Sequence, residues 1–409
     1  MVYEPTEPVI PYRRGCPFDP APEYSALRSE QPISPLTFNV APLDHDGWLV
    51  TRFDDARSIL SDSRFSHRPE LLALVHWPPF PPPADYRTPP AAPGHFGGMD
   101  SPQHSRYRRL LTGFFTVRRI REFEPTLERL FDEILDDMAG MPRPVDLVST
   151  FARPLTNRAT CLTLGLQEEE LADVEEHFDV IMSIDYTGEE FYHHSSSLTV
   201  KLASMIARRF GGEPGPGMFG QLIAGGELTE EEMFNIAWTA IAGALDTTPN
   251  MLALGTWALL EHPDQLAALR ERPDQADAAI EELLRYLTIS HFGASRVALE
   301  DVKVRDTTIK GGQTVVLALG AANRDPAFFE HPETLDVTRP PARHLAFGFG
   351  IHQCLGQHLA RATLRIGYRK LFERFPTLRL AVPADSIRVR DTAMHYGVVE
   401  LPVTWDDVP

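Results

Sequence analysis

Apolar residues recur at intervals of three and four positions along most of this chain, the spacing of one buried face of an α-helix. This pattern predicts helices at residues 107–115, 123–138, 171–184, 229–260, 263–270, 277–287 and 355–375. β-Branched or alternating runs are fewer and shorter, and they predict strands at residues 48–51, 313–319 and 398–404. We therefore expect a mainly α fold with a smaller, mostly antiparallel β subdomain.

Composition and charge narrow the class of protein. The chain is 43% hydrophobic and 23% charged, which is ordinary for a globular protein, and no change of composition divides it, so we expect one domain over residues 1–409. A formal net charge of −18 opposes binding to nucleic acid. The first 20 residues show no signal-peptide pattern, and three irregularly spaced cysteines indicate a reducing compartment. These features predict a cytoplasmic protein.

Two segments need a choice between interpretations. The longest apolar stretch, residues 236–260, is interrupted by polar residues at 246–250, which favours a buried helix and no membrane partner. Residues 77–90 contain too many prolines for a regular helix and are expected to form a loop. That loop could be a linker between domains, but a functional loop over a pocket is favoured, because long loops without regular structure inside a compact domain are usually functional.

The long predicted helix carries candidate chemistry near its middle. Thr229 and Glu232 form a capping-box pattern at its start. Pro249 lacks the N–H that would bond the carbonyl four residues earlier, so the helix should be disturbed just before it. An acid and a hydroxyl, Asp246 and Thr247, lie at that point. On these residues alone, a kinked core helix with a polar spot stays an alternative.

A lone cysteine between glycines marks the second candidate site. Cys354 precedes the predicted helix at 355–375, which suits a thiolate stabilised by the N–H groups and dipole of a helix N-terminus. Two alternatives are a buried structural cysteine and a zinc site formed with His352 and His358. The zinc site would lack a fourth ligand and paired-cysteine spacing.

The run from Phe347 to Arg361, FGFGIHQCLGQHLAR, resembles the haem-binding loop of the cytochrome P450 family. This resemblance implies that Cys354 is the axial ligand of the iron in haem b (iron protoporphyrin IX) and donates electron density that favours O–O cleavage. Phe347 and Gly356 would bind the same cofactor. Because three further segments match family motifs in the same order, the resemblance implies the P450 fold, with haem between the long central helix and the cysteine-loop helix.

Residues 243–249 resemble the oxygen-activation motif of that family. The resemblance implies that Gly243 leaves space for dioxygen beside the haem, and that Asp246 and Thr247 deliver protons. Ala244 stands where the family more often has glycine. The acid–alcohol pair itself is intact.

Glu282 and Arg285 lie three residues apart, so they can pair on one helix face. Alone, such a pair is usually an ordinary surface ion pair. The resemblance adds Arg339 and implies a buried three-membered network with a structural role.

His104 and Arg108 lie four residues apart on one predicted helix face, and in isolation they would be an exposed basic face. The resemblance implies that they bind the haem propionates, together with Arg296 and His352. Guanidinium groups match carboxylates in shape and charge.

The activity implied is that of a soluble bacterial haem-thiolate monooxygenase, which inserts one atom of O₂ into an organic substrate by hydroxylation or epoxidation. Electrons from NAD(P)H would arrive through ferredoxin and ferredoxin reductase, since the chain has no flavin-binding region of its own. We expect a basic patch that includes Arg109, Arg118 and Arg119 to receive the electron-transfer partner.

The expected substrate is a bulky secondary metabolite such as a macrolide, a polyene or an aromatic polyketide. A carrier protein would be a further partner if that substrate is tethered. The pocket is expected to include Thr239, Ala242, Phe292, Met394 and His395. Two alternatives are a peroxide-using or redox-neutral haem-thiolate enzyme, and a non-catalytic haem-binding module that recruits a partner.

Overall fold

The computed structural model describes residues 8–38, 45–75 and 88–406. Within these ranges the chain forms fourteen α-helices: α1 (Glu23–Glu30), α2 (Phe53–Ser61), α3 (Gln103–Thr112), α4 (Val117–Ala139), α5 (Arg153–Leu164), α6 (Glu168–Ile181), α7 (Gly188–Gly211), α8 (Gly217–Gly225), α9 (Glu230–Leu245), α10 (Thr248–Glu261), α11 (Pro263–Glu271), α12 (Ala276–Leu287), α13 (Leu319–Ala322) and α14 (Gln357–Arg374). The expectation of a mainly helical fold is confirmed.

Ten short strands accompany the helices in the same described ranges: β1 (Ile33–Phe38), β2 (His45–Val50), β3 (Phe65–Ser66), β4 (Val145–Asp146), β5 (Ala294–Ala298), β6 (Val302–Val304), β7 (Thr307–Ile309), β8 (Thr314–Leu317), β9 (Arg379–Leu380) and β10 (Pro402–Thr404). The largest sheet has the order β1-β2-β8-β5-β3. Its β2–β8 pair is parallel and its other pairs are antiparallel. Apolar residues of α2 and α13 pack with this sheet in one hydrophobic cluster.

The long predicted helix is two helices. The capping box at its start is confirmed, because the Thr229 side chain accepts from the Glu232 N–H and the Glu232 carboxylate accepts from the Thr229 N–H. α9 ends at Leu245 and α10 begins at Thr248. The prediction of one continuous helix over 229–260 is therefore wrong, because the helix is broken at residues 246–247. Pro249 lies in the first turn of α10, where a missing N–H costs least.

The break lies where two hydrophobic clusters meet. Apolar residues of α9, such as Ile236 and Ile241, pack in a cluster with α5, α6, α7 and α8. Apolar residues of α10, such as Leu252 and Trp257, pack in a second cluster with α4, α12 and α14. The two halves of the central helix therefore belong to different parts of the core.

Several sequence-based boundaries need correction. The predicted strand at 398–404 is limited to β10, preceded by an isolated bridge between Val389 and Val398. Helices α1, α2, α5, α7 and α8 and strand β1 were not predicted. Most of the proline-rich segment at 77–90 lies outside the described residues, and residues 88–90 have no regular structure. Among the described residues, no helix is long and apolar enough to cross a membrane.

Candidate functional site

The loop before α14 holds Cys354 in a fixed backbone conformation. The Cys354 N–H donates to the Phe347 carbonyl at 2.9 Å, which closes the loop. Gly350 has φ +75°, and a Cβ there would lie 2.3 Å from the Leu60 carbonyl oxygen, so a side chain at this position would strain the loop. Glycine is therefore required where the loop passes the end of α2.

Cys354 is exposed as a residue, yet protein atoms surround its thiol closely. Desolvation raises the pKa of the thiol, while the backbone N–H groups of Gly356 and Gln357 and the guanidinium groups of Arg108 and Arg361 lower it. The effect of desolvation on the pKa is the larger one. The four opposing groups are the ones that would stabilise a thiolate once a metal ion takes the proton's place.

The helix break presents a hydroxyl and a carboxylate. The Thr247 hydroxyl donates to the Gly243 carbonyl at 2.7 Å, and a Cβ on Gly243 would meet only open space. Asp246 is 4% exposed. Arg390 Nη1 donates to Asp246 Oδ1 at 2.8 Å, and His395 Nδ1 lies 2.7 Å from Asp246 Oδ2. The acid is thus anchored to the C-terminal segment of the chain.

Glu282 and Arg285 on α12 meet Arg339, which lies in the segment between α13 and the cysteine loop. Arg285 Nε and Nη2 donate to the two oxygens of Glu282, each at 2.7 Å, and Arg339 Nε lies 3.2 Å from Glu282 Oε2. Arg285 also donates to the Asn323 and Pro332 carbonyls at 2.8 Å. Because these carbonyls lie in the segments between α13 and the cysteine loop, the network ties those segments to α12.

A cluster of basic side chains lies between α3, β5 and the cysteine loop. The rings of His104 and His352 have centroids 4.4 Å apart, and His67 adds a third ring 5.2 Å from His352. Arg296 is 4% exposed, and its Nη1 donates to the Ser295 carbonyl at 2.7 Å. Nε2 of His104 and Nε2 of His352 are buried, and each lacks a hydrogen-bond partner among the described residues.

The electrostatics of this cluster favour an anion. Burial lowers the pKa of Arg296 to about 10. Burial, with the charges of His67 and Arg296, lowers the pKa of His352 to about 2, so this imidazole is neutral at pH 7. Buried donors without acceptors are costly. A carboxylate placed here would accept from them and remove that cost.

Comparison with known proteins decides the family. Residues 220–387 match the family model described as "Cytochrome P450". The chain is 40% identical over 397 residues to cytochrome P450-SU2 of Streptomyces griseolus, covering 96% of this chain and 95% of the relative. The chain belongs to the cytochrome P450 family. It is a P450 monooxygenase with the P450 fold, as the resemblance implied.

Solved P450 structures agree with this assignment along the full length. The crystal structure of CYP105P1 in complex with filipin I has a TM-score of 0.89 and 38% identity, and it covers 99% of this chain and 100% of that one. Mycinamicin VIII C21 methyl hydroxylase MycCI from Micromonospora griseorubida, bound to mycinamicin VIII, has a TM-score of 0.86 and 30% identity, with coverage of 98% and 100%.

P450 enzymes contain haem, and the residues present fit that group. Gly243 and Gly356 both have open space where a side chain would project. The unpartnered Nε2 atoms of His104 and His352 provide donors for propionate oxygens. Among the described residues, no group of three or more His, Cys, Asp or Glu is placed to hold a metal ion, so the zinc alternative gains no support.

The two propionate-side arginines differ in their contacts. Arg296 points its charge into the buried basic cluster. Arg108 Nη2 donates to the Gln353 carbonyl at 2.7 Å, so in this structure it also supports the cysteine loop. Arg108 retains other N–H groups for a carboxylate because a guanidinium carries five donors.

The residues expected to line the substrate pocket differ in burial and in the residues they contact. Thr239 is part-buried on α9, where its hydroxyl donates to the Asn235 carbonyl at 2.9 Å, and Ala242 is 8% exposed one turn away. Met394 is exposed. Phe292 packs against His291 and Tyr12 in the cluster under the large sheet. His395 contacts the site acid directly.

Two residues of the site were missed by reading the sequence. His67 follows β3 and meets His352, which lies 285 positions later in the chain. Arg390 meets Asp246 across 144 positions. Neither residue lies in a recognisable motif, so no linear signal distinguished them from other histidines and arginines.

Proposed function

We propose that this P450 is a ferredoxin-dependent monooxygenase that hydroxylates or epoxidises a bulky secondary metabolite. The observation that carries the proposal is the pairing of two features in one chain: a presented cysteine thiol beside buried, unpartnered donors, and an acid and an alcohol at a break in the central helix. The first feature suits haem-thiolate binding, and the second suits controlled proton delivery.

When bound, haem would supply the chemistry that activates O₂. The residues of this chain would bind the haem, position a water and supply protons. Cys354 would hold the haem iron through its thiolate, with Phe347 and Gly356 beside it in the loop. His104, Arg108, Arg296 and His352 would hold the propionates.

At the helix break, the Thr247 hydroxyl donates to the Gly243 carbonyl, so its oxygen would accept a hydrogen bond from a water and position that water. Asp246 would act as the acid that replaces each consumed proton. One oxygen atom enters the substrate and the other leaves as water.

The experiment that tests this function is the carbon monoxide difference spectrum of the dithionite-reduced protein. A strongly red-shifted Soret band would support axial thiolate ligation, and a normal haem band would contradict it. NADPH consumption with added ferredoxin and reductase, with and without substrate, would then separate a monooxygenase from a peroxide-using or redox-neutral enzyme and from a non-catalytic module.

The substrate class rests on similarity and on pocket character. One similar structure was solved with filipin I and another with mycinamicin VIII. Ala242 and Met394, expected at the pocket, are apolar. We therefore propose a macrolide, a polyene or an aromatic polyketide, tested by screening such compounds for a shift of the ferric spin state. A carrier-tethered substrate would require the carrier protein for that shift.

Thr247→Ala is expected to uncouple turnover. Loss of the hydroxyl removes the group that positions a water for proton transfer, so product formed per NADPH should fall about tenfold while hydrogen peroxide rises. Product, NADPH and peroxide are measured together. Thr247→Ser keeps the hydroxyl and serves as the matched control, which should remain coupled. Unchanged coupling in the alanine variant would remove Thr247 from the proton path.

Arg109→Glu is expected to slow reduction by ferredoxin about tenfold at low salt, because charge at the rim of an interface mainly sets the association rate. Arg109 is exposed, while Arg118 and Arg119 lie 3.7 and 3.8 Å from Glu122. Stopped-flow reduction under carbon monoxide gives the rate. Arg388→Glu, an exposed arginine paired with Glu400, is the control. Equal reduction rates in the two variants would show that the basic patch does not receive ferredoxin.

A further inference from the structure

Asp246, the acid at the helix break, is almost completely shielded from solvent. Asp246 is 4% exposed, and both of its carboxylate oxygens are engaged. Oδ1 accepts from Arg390 at 2.8 Å and lies 3.4 Å from the Asn250 amide, and Oδ2 meets His395 Nδ1 at 2.7 Å. Any proton that Asp246 gives up must therefore return through one of these three contacts.

Arg390 is a fixed contact. Its Nη2 lies 3.6 Å from Asp179 on α6, and Asp179 in turn accepts two bonds from Arg153 on α5, at 2.8 and 3.0 Å. Arg153 also bonds Glu175. A guanidinium stays protonated in proteins, and an amide does not titrate, so Arg390 and Asn250 hold the carboxylate without exchanging protons.

His395 is the contact that can exchange protons. Imidazole binds and releases a proton between about pH 5 and 8, and its two nitrogens allow a proton to enter at one side and leave at the other. The His395 side chain is 30% exposed, against 4% for Asp246. The ring therefore connects a buried acid to solvent.

We propose that His395 is a positioning residue that passes protons from solvent to Asp246 during oxygenation. The inference rests on the proposed monooxygenase function and deepens it. Solvent adds a proton at Nε2, the Nδ1–H bond breaks, and that proton joins Asp246 Oδ2, which leaves a neutral ring and a carboxylic acid. Asp246 then passes this proton toward the oxygen-binding side, and the part-exposed ring turns away from Asp246, loses the Nε2 proton to solvent and gains one at Nδ1. No oxidation state changes.

The charged and titratable groups near the ring belong to several elements. Asp246 lies at the helix break, and Arg390 pairs with both Asp246 and Asp179 of α6. His291, in the segment after α12, contacts the Ala393 carbonyl beside it, and burial lowers the pKa of His291 to about 4, so it stays neutral at pH 7. Asp391 lies in the same C-terminal segment and interacts with His291 and Tyr396.

The test uses the haem-loaded enzyme with His395→Asn. Asparagine places an N–H near the position of Nδ1, so it can keep the bond to Asp246, but it cannot relay a proton. Coupled product formation at pH 7 should fall about tenfold. The solvent deuterium isotope effect on coupled product formation should increase, and coupling should depend less on pH. His193→Asn, an exposed histidine of α7, is the matched control.

Failure of the His395 relay and failure of the proposed monooxygenase function give different results. If the wild type shows thiolate ligation and coupled turnover, while His395→Asn keeps the same rate, isotope effect and pH profile, the relay is overturned and the monooxygenase stands. If the wild type lacks thiolate ligation, the function itself is overturned.

A second measurement needs no turnover. In the diamagnetic ferrous carbon monoxide form, nitrogen–proton correlation spectra show which ring nitrogen of His395 is protonated. A proton on Nδ1 at neutral pH, lost or redistributed in Asp246→Asn, supports the relay. A neutral ring protonated only at Nε2, unaffected by Asp246→Asn, overturns it.

Discussion

Cys354→Ser is expected to abolish both the red-shifted carbon monoxide band and substrate oxygenation. Serine fits the same loop, since the Cys354 N–H bond to the Phe347 carbonyl involves only backbone. Its hydroxyl is a far weaker acid than a thiol, so it does not present the electron-donating anion that favours O–O cleavage. The loop should stay folded while the chemistry is lost.

The measurement combines the difference spectrum with product analysis in one preparation. Cys16→Ser replaces another exposed free cysteine and should behave like the wild type. A red-shifted band that survives in Cys354→Ser would show that the thiolate comes from elsewhere in the chain.

Arg285→Ala is expected to be the most destabilising single change described here. Arg285 is 1% exposed and Glu282 is 3% exposed, so the variant leaves a buried carboxylate with Arg339 as its remaining cation. It also removes the donors to the Asn323 and Pro332 carbonyls. Breaking a buried ion pair costs about 3–5 kcal/mol, which is much of the stability of a typical protein.

Urea unfolding and haem content of the purified variants provide the measurement. Arg388→Ala breaks the exposed pair with Glu400 and should cost no more than about 1 kcal/mol. Arg285→Lys should also be destabilising, because one ammonium cannot replace the bidentate contact with Glu282. Equal stability of Arg285→Ala and Arg388→Ala would contradict a structural role for the network.

Local sequence signals predicted much of the fold. The three- and four-residue periodicity located α4, α12 and α14, and the Thr229–Glu232 pattern located the start of α9, because these features depend on neighbours along one helix. The membership in the P450 family is confirmed by comparison. The roles of individual site residues, the single domain and the cytoplasmic location stay predictions.

The features that were missed depend on contacts between distant segments. Strand β1 contains Pro35, which argues against a strand in the interior of a sheet. The structure places β1 at the edge of the five-stranded sheet, where it pairs with β2 alone and a missing N–H is tolerated. The contacts of Arg390 and His395 with Asp246 likewise join positions that no local pattern relates.

The interrupted central helix has a consequence for how this enzyme could diversify. α9 packs with α5, α6, α7 and α8, whereas α10 packs with the helices that carry the Glu282 network and follow the cysteine loop. Substitutions that reshape the first cluster can accumulate under selection for new substrates while the second cluster keeps its packing. A directed-evolution library confined to α6–α8 and α9 should therefore retain folded, haem-loaded members more often than one directed at α10, α12 and α14.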